Sequence, residues 1–225
     1  MTCAESLARA LKDAGITHIF GLPGGEILDF LEAARREGIR FLLTRHEATA
    51  AFMADVTGQI EGRPGVCVST LGPGAVNMTL GVANAYLDRS PLIAITAALA
   101  RSAVPYATHQ QLDLNAVYRP FTKLALTLDG RGTAAQVRRA VRVACTPRCG
   151  PVHLALPSDV GRAQDQPGDT TTSDDGPPPL APAPVEAVER VAAAVAAARR
   201  PIVILGLDLD PRRDAALARA LVERL

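Results

Sequence analysis

The run Leu92-Ile93-Ala94-Ile95-Thr96-Ala97 constrains this chain more than any other feature. A strand with one wet face alternates apolar and polar residues; this one is apolar almost throughout. Such a strand is covered on both faces, which is the situation of parallel sheets in α/β proteins. Shorter, mostly apolar runs at His18–Phe20, Arg40–Leu43, Val66–Thr70, Leu124–Leu128 and Val152–Leu156 read as its neighbours. Segments with helical spacing separate them. The first opens on a capping box, Thr2 to Glu5, carries Leu7, Leu11 and Ala14, and stops at Gly15. Glu26–Arg36 puts Ile27, Phe30, Leu31 and Ala34 on one face before Gly38. Ala48–Ile60 is closed by Gly62 and Pro64, and Gly74–Asp88 follows. A helical turn is predicted at Asn115–Arg119, and a helix at Thr133–Cys145 with Val137, Ala140, Val141 and Ala144 inward. This alternation predicts an α/β fold: a doubly wound, mostly parallel sheet with helices on both faces and right-handed crossovers.

Composition changes at Gly161. From there to Pro184 the chain is dense in Pro, Asp, Thr and Gly, with Pro177, Pro178 and Pro179 in succession. The predicted organisation is a domain over 1–160, a proline-rich linker over 161–184, and the start of a second α/β domain over 185–225. That second part reads as a helix at Val185–Ala198, a strand at Pro201–Leu205 and a helix at Pro211–Leu225. One strand cannot bury both its faces alone, so an incomplete central domain is expected.

Hydrophobic residues make up 48% of the 225 residues, which excludes wholesale disorder. With 24 basic and 23 acidic residues the net charge is +1, and no basic cluster asks for nucleic acid or an anionic membrane. Cys3, Cys67, Cys145 and Cys149 match no zinc ribbon and no Cys-x-x-Cys pair, so thiols are expected rather than a disulfide. The N-terminus is a capped helix rather than a basic region followed by an apolar run, and no apolar stretch reaches the roughly 18 residues of a membrane span. A cytoplasmic protein without membrane contact is expected.

Ligands of an open parallel sheet bind beyond the carboxyl ends of its strands. Three motifs sit there. Gly21-Leu22-Pro23-Gly24-Gly25 follows the first predicted strand, Arg45-His46-Glu47 the second, and Leu71-Gly72-Pro73-Gly74 the third. Singly, each has an ordinary explanation. The first is neither a dinucleotide fingerprint nor a phosphate loop, and it can be a plain turn. Gly72-Pro73-Gly74 can be a simple strand-to-helix turn, or it can expose backbone N–H groups to a ligand. His46-Glu47 does not continue into a zinc helix, because residue 50 is Ala. A glutamate at a helix start is ordinarily a favourable partner of the helix dipole. Together they place special backbone geometry and one carboxylate on one rim.

As a set these motifs resemble the acetolactate synthase group of thiamine-diphosphate enzymes. The likeness runs from Gly21–Gly25 through Arg45-His46-Glu47 to Gly72-Pro73-Gly74-Ala75 with Asn77. It continues through Asn84-Ala85-Tyr86, Asp88, Pro91, Gln110-Gln111-Leu112-Asp113 and Arg119-Pro120-Phe121-Thr122-Lys123 to Gly150-Pro151-Val152, Pro157 and Asp159. The resemblance implies a pyrimidine-binding domain for thiamine diphosphate. Glu47 matches the acid that hydrogen-bonds the aminopyrimidine ring and favours the imino tautomer, whose nitrogen deprotonates the thiazolium. The cofactor then attacks a 2-oxo acid and takes up the electrons left by loss of carbon dioxide. A dry pocket would suit a carboxyl to that exchange, and Ala48, Ala51, Phe52 and Met53 are its expected walls. Gly72 and Gly74 match positions where the backbone nears the cofactor ring, and Asn77 is expected to orient that loop. Pro23 and Gly24 match a loop facing the substrate, and Gln110 a glutamine near the reacting carbons. His109 stands where synthases usually have Phe and some decarboxylases His; it is either a proton donor or a surface-loop histidine. Lys123 is expected near the substrate entrance.

The family's metal–diphosphate signature, Gly-Asp-Gly followed by an Asn pair, does not occur; Pro167-Gly168-Asp169 continues with Thr170. The resemblance therefore implies that Mg2+ and the diphosphate are held by a domain outside this sequence, and that FAD, where relatives carry it, belongs to the complete enzyme. The expected activity is decarboxylation of a 2-oxo acid with carboligation. It would be carried out in a homo- or hetero-oligomer with a chain bearing the diphosphate domain, the present chain being inactive alone as a truncated product, fragment or split half. A non-catalytic relative and a simple 2-oxo acid decarboxylase are the other readings; a nucleotide-binding protein lacks its phosphate fingerprint.

Overall fold

The strands predicted between His18 and Leu156 all form, and they pair in parallel. In the computed structural model, which describes residues 1–106, 109–168, 182–209 and 211–224, β1 is His18–Leu22, β2 Arg40–Leu43 and β3 Gly65–Ser69. β4 is Leu92–Ala98, β5 Leu124–Thr127 and β6 Pro151–Pro157. Their order is β2-β1-β3-β4-β6-β5. The chain divides into two compact units, Met1–Gly176 and Pro177–Leu225, and each is described by itself.

Alternation along the central strands builds two cores. Val66, Val68, Ile93 and Ile95 face one side, where α1 (Cys3–Asp13), α2 (Leu28–Arg36) and α6 (Thr133–Cys145) bury Leu7, Phe30 and Val137. Cys67, Leu92 and Ala94 face the other, against α3 (Glu47–Glu61), α4 (Pro73–Leu87) and Tyr118 of α5 (Leu114–Tyr118). α1 starts on the predicted box: the Glu5 N–H donates to Thr2 Oγ1 at 3.2 Å, and the Thr2 N–H to Glu5 Oε2 at 2.8 Å.

The second core is built from small residues, among them Ala50, Ala51, Ala54 and Ala85. They let α3 lie close on both its neighbours. A Cβ at Gly81 of α4 would come within 2.6 Å of Ala51 Cβ, and one at Gly65 would overlap the Ala54 backbone.

A buried imidazole interrupts this face. His153 of β6 is fully buried, stacked on Tyr118 at 4.1 Å between ring centroids. Its Nε2 lies 2.9 Å from Thr96 Oγ1 and its Nδ1 3.1 Å from Asn115 Oδ1. Burial pushes the imidazole down to about 3 from its ordinary 6.5.

Three expectations change. The stretch from Gly161 was read as linker, but to Gly168 it is bonded into the first unit. α7 (Ser158–Arg162) spans its start. Beyond it the Cys3 N–H donates to Ala163 O, the Asp165 N–H to Met1 O and the Gln166 N–H to Gly130 O. Asp165 Oδ1 accepts from both the N–H and the hydroxyl of Thr133 at the start of α6. Its polar composition comes from partnering the ends of other elements. Pro177–Pro179 lies outside the described residues. In the second unit, α8 (Val185–Ala197) and α9 (Pro211–Val222) form, but 201–206 is not a strand. Ile202 and Ile204 are 87% and 88% exposed; a strand exists only through a neighbour's ladder, and none runs alongside among the described residues. Finally, Glu26 and Ile27 belong to a 3-10 turn, Gly25–Ile27, that precedes α2.

Two expectations for stability follow from this packing. Gly65→Ala should destabilise the first unit by about 1–3 kcal/mol, because rigid backbone and not a flexible side chain stands in the way; its urea midpoint should drop without a change in slope. Because folded His153 stays neutral down to about 3, only the unfolded chain takes up its proton as pH falls from about 6.5. Stability should therefore fall with decreasing pH across that window, by up to about 1.4 kcal/mol per pH unit from this group, and be flat in it above. Urea midpoints of wild type and His153→Gln between pH ~4.5 and ~7 test this: the variant should lose that part of the slope.

Candidate functional site

The site begins with how α3 starts. The His46 backbone is extended, and its Nδ1 accepts from the Ala48 N–H at 3.1 Å, so the ring caps the helix. Thr44 steadies the cap from below: its hydroxyl donates to His46 O, and its N–H to Gly21 O of β1. Glu47 is consequently the first residue of α3, near the positive end of the helix dipole. Its side chain is only 5% exposed and reaches across to α4.

α4 begins equally abruptly. Gly72 has φ 62 and ψ −127, a conformation that a Cβ opposes, and Pro73 takes the first helical position. One turn into α4, Asn77 Nδ2 donates to Glu47 Oε2 at 3.0 Å. The other carboxylate oxygen, Oε1, faces Gly74, where an added Cβ would sit 2.9 Å from it. No hydrogen bond to Oε1 is formed among the described residues. Glu47 is thus held at one oxygen, with the other left toward a glycine.

The loop after β1 closes the same corner. Thr70 Oγ1 donates to Glu26 Oε2 at 3.0 Å, while the Thr70 methyl abuts Gly74. Gly24 lies against Thr70 so closely that a Cβ there would overlap the hydroxyl. Pro23, half-buried, leads directly into this contact from the end of β1. On the far side, Gly72 packs on Gln110, whose Cβ would be 2.6 Å from a Cβ at residue 72. Gln110 has φ 56 and is half-buried, whereas His109 beside it is exposed. The structure therefore gathers Gly24, Glu47, Gly74 and Asn77 around Thr70, and joins Gln110 to that group through Gly72.

This corner lies between the carboxyl ends of β1 and β3, where the connections of a doubly wound sheet diverge. Residues 1–117 match the family described as "Thiamine pyrophosphate enzyme, N-terminal TPP binding domain". The chain belongs to this family. Its relatives place it among the acetolactate synthase-like thiamine pyrophosphate enzymes. It is 35% identical over 219 residues to "Acetolactate synthase, catabolic" of Raoultella terrigena, covering 96% of this chain and 39% of that protein. It is 40% identical over 161 residues to "Probable acetolactate synthase large subunit" of Methanocaldococcus jannaschii, covering 71% and 27%. With "Acetolactate synthase" of Bacillus subtilis the identity is 32% over 205 residues, covering 91% and 36%. The chain thus spans well under half the length of these relatives. Among the described residues no helix is long and apolar enough to cross a membrane.

Two expected neighbours of the thiamine pyrophosphate domain's glutamate fall elsewhere. Ala48 and Ala51 are buried beside it, but Phe52 and Met53 are 38% and 39% exposed and line the outer face of α3. A helix turns about 100° per residue, so not every residue following Glu47 can face inward. Lys123 is at the opposite end of the sheet from Glu47. It precedes β5, hence lies at the amino edge, where its N–H donates to Pro151 O and its Nζ to the carbonyls of Val143 and Thr146. A lysine before a parallel strand cannot line the rim that follows the strands. Sequence reasoning passed over Thr70 and Glu26, although Thr70 directly precedes the Leu71-Gly72-Pro73-Gly74 motif. It also passed over the capping role of His46, for which no pattern in the sequence is specific.

The Asn77–Glu47 contact is testable without any ligand. A double-mutant cycle of Asn77→Ala and Glu47→Ala in urea unfolding should give a coupling energy of about 1 kcal/mol. Additivity within about 0.3 kcal/mol would contradict the contact.

Proposed function

We propose that this chain supplies the pyrimidine-binding part of a thiamine diphosphate site in an acetolactate-synthase-like enzyme, one that decarboxylates a 2-oxo acid and joins the remaining fragment to a second carbonyl compound. The observation that carries the reading is Glu47: buried, held at Oε2 by Asn77, and offering Oε1 across Gly74. A cofactor ring nitrogen fits such an oxygen, since the glycine removes the one side chain that would stand in the way. When bound, thiamine diphosphate supplies the carbanion chemistry and the electron sink for decarboxylation.

The protein's own share is positioning and proton handling. Glu47 Oε1 exchanges a proton with the aminopyrimidine ring, and the Asn77 N–H fixes which oxygen does so. Gly74 admits the ring to van der Waals distance, and Gly72 sets the turn that presents it. Pro23 and Gly24, braced on Thr70, form the substrate-side wall. Gln110, packed on Gly72, would stand near the reacting carbons, and His109, on the exposed loop, would supply a proton. That same histidine favours, as second reading, a simple 2-oxo acid decarboxylase.

Mg2+ and the diphosphate are assigned to a separate domain in an oligomer, and FAD, if used, to the complete enzyme. Val56 and Ile60 of α3 and Leu80 and Leu87 of α4 support a partner: these exposed apolar side chains lie on the two helices that carry the site. The relative in Escherichia coli named an isozyme "large subunit" is in keeping with assembly.

Proton exchange at the thiazolium carbon, followed by NMR, tests the assignment. In the complex with a chain carrying the metal–diphosphate domain, Glu47→Gln should slow exchange by about 10²-fold or more. Exchange at the wild-type rate in a variant that still binds the cofactor would sink the role given to Glu47.

A further inference from the structure

Gln110, which joins the Glu47 corner through Gly72, also lines a second opening of the same rim. A cavity of about 340 Å³ lies at the carboxyl ends of β4, β6 and β5. Small residues create it. Ala155 of β6 lies between Thr96 of β4 and Thr127 of β5, and one step on Ala98 pairs with Pro157. The covering helix α5 is a mere five residues long, so the ends of these strands stay open above it. Leu71, Leu99 and Leu112 supply an apolar wall.

The polar side has a definite hydrogen-bond sense. Asn115 Nδ2 donates to Thr127 Oγ1 at 2.9 Å, which turns Asn115 Oδ1 toward His153 Nδ1 at 3.1 Å. An amide oxygen only accepts, so the ring proton of neutral His153 is on Nδ1. Its Nε2 then accepts from the Thr96 hydroxyl at 2.9 Å. This chain runs from buried His153 out to exposed Thr127 and leaves two protons for the cavity: the second N–H of Asn115 and the hydroxyl hydrogen of Thr127, both residues lining it. Gln110 and Gln111 add amides of either sense, so the donors whose direction the fold fixes are those of Asn115 and Thr127. At the mouth the Arg101 cation is already paired, its Nε donating to Asp159 Oδ2 at 3.0 Å, while Asp113, which caps α5 by accepting from the Ala116 N–H at 2.9 Å, adds a negative charge.

We propose that this cavity binds an uncharged carbonyl compound with an apolar body, its oxygen accepting from Thr127 Oγ1 and Asn115 Nδ2 while the body lies on Leu71, Leu99 and Leu112. A carboxylate would bring a charge for which the wall holds no unmatched cation among the described residues. His153 acts as a positioning residue: it fixes the Asn115 amide, and so the direction of both donors. The site needs neither thiamine nor a partner chain, so its test is separate from that of the activity.

Acetophenone and benzoate, alike in size and shape but differing in charge, are suitable probes, titrated into the 225-residue chain and followed by calorimetry and by NMR of the His153 imidazole. Acetophenone is expected to bind saturably and shift the His153 Nδ1–H resonance through Asn115, with benzoate at least about fivefold weaker. Thr127→Val should weaken acetophenone at least about fivefold, and Ala98→Leu, which fills the cavity, should abolish binding. No saturable acetophenone binding, or binding unchanged in Thr127→Val, overturns the site. Benzoate binding the tighter of the two overturns its assignment to an uncharged ligand. If Ala98→Leu lowers the melting temperature, Thr127→Val and the imidazole shift decide by themselves: binding that leaves the His153 resonance unmoved counts against the proposal.

Discussion

The close approach of α3 and α4 is the constraint on which the rest of the first unit depends. Both helices follow adjacent strands and start on the same rim, and both are lined with alanine and glycine where they meet. Bulkier residues at Ala51, Ala54 or Gly81 would hold the helices apart, and the Glu47 carboxylate would no longer reach Asn77 and Gly74. The small-residue core thus fixes a distance as well as excluding water. It leaves less apolar area per residue than the Leu- and Ile-rich opposite core, and that opposite core, with Leu7, Leu11, Phe30 and Ile95, carries more of the hydrophobic stabilisation.

Polarity of the sheet does the remaining work. Because the strands are parallel, their carboxyl ends share one rim, and everything that follows a strand is brought together there. Gly24, Glu47, Gly74 and Gln110 come from loops far apart in sequence yet are neighbours for this reason alone. Lys123 shows the rule from the other side: a residue that precedes a strand is delivered to the amino edge, where it satisfies the last carbonyls of α6.

Much of this was legible beforehand. Arg40–Leu43 and Thr133–Cys145 begin and end where their patterns predicted, since turn glycines such as Gly38 and Gly132 and helical periodicity are local signals. The Glu47 rim was legible as a set, because three motifs follow three successive strands. What escaped prediction depends on partners distant in sequence. Gly161–Gly168 has a linker's composition, but Asp165 and Gln166 find partners some thirty residues back. Pro201–Leu205 has a strand's composition but no neighbouring strand among the described residues. His153 sits in a run that reads as plain core, and only the fold brings Thr96, Asn115 and Tyr118 to it.

The pairing of Met1 and Thr2 with Gln164 and Asp165 has a consequence of its own. It puts the start of α1 beside the stretch that follows α7, clasped by backbone hydrogen bonds, with all six strands of the sheet lying between them in the sequence. A polypeptide organised in this way is a cassette: it can be spliced into, or joined behind, other sequences without any of its strands being rethreaded. A rim built entirely from internal loops travels intact with it.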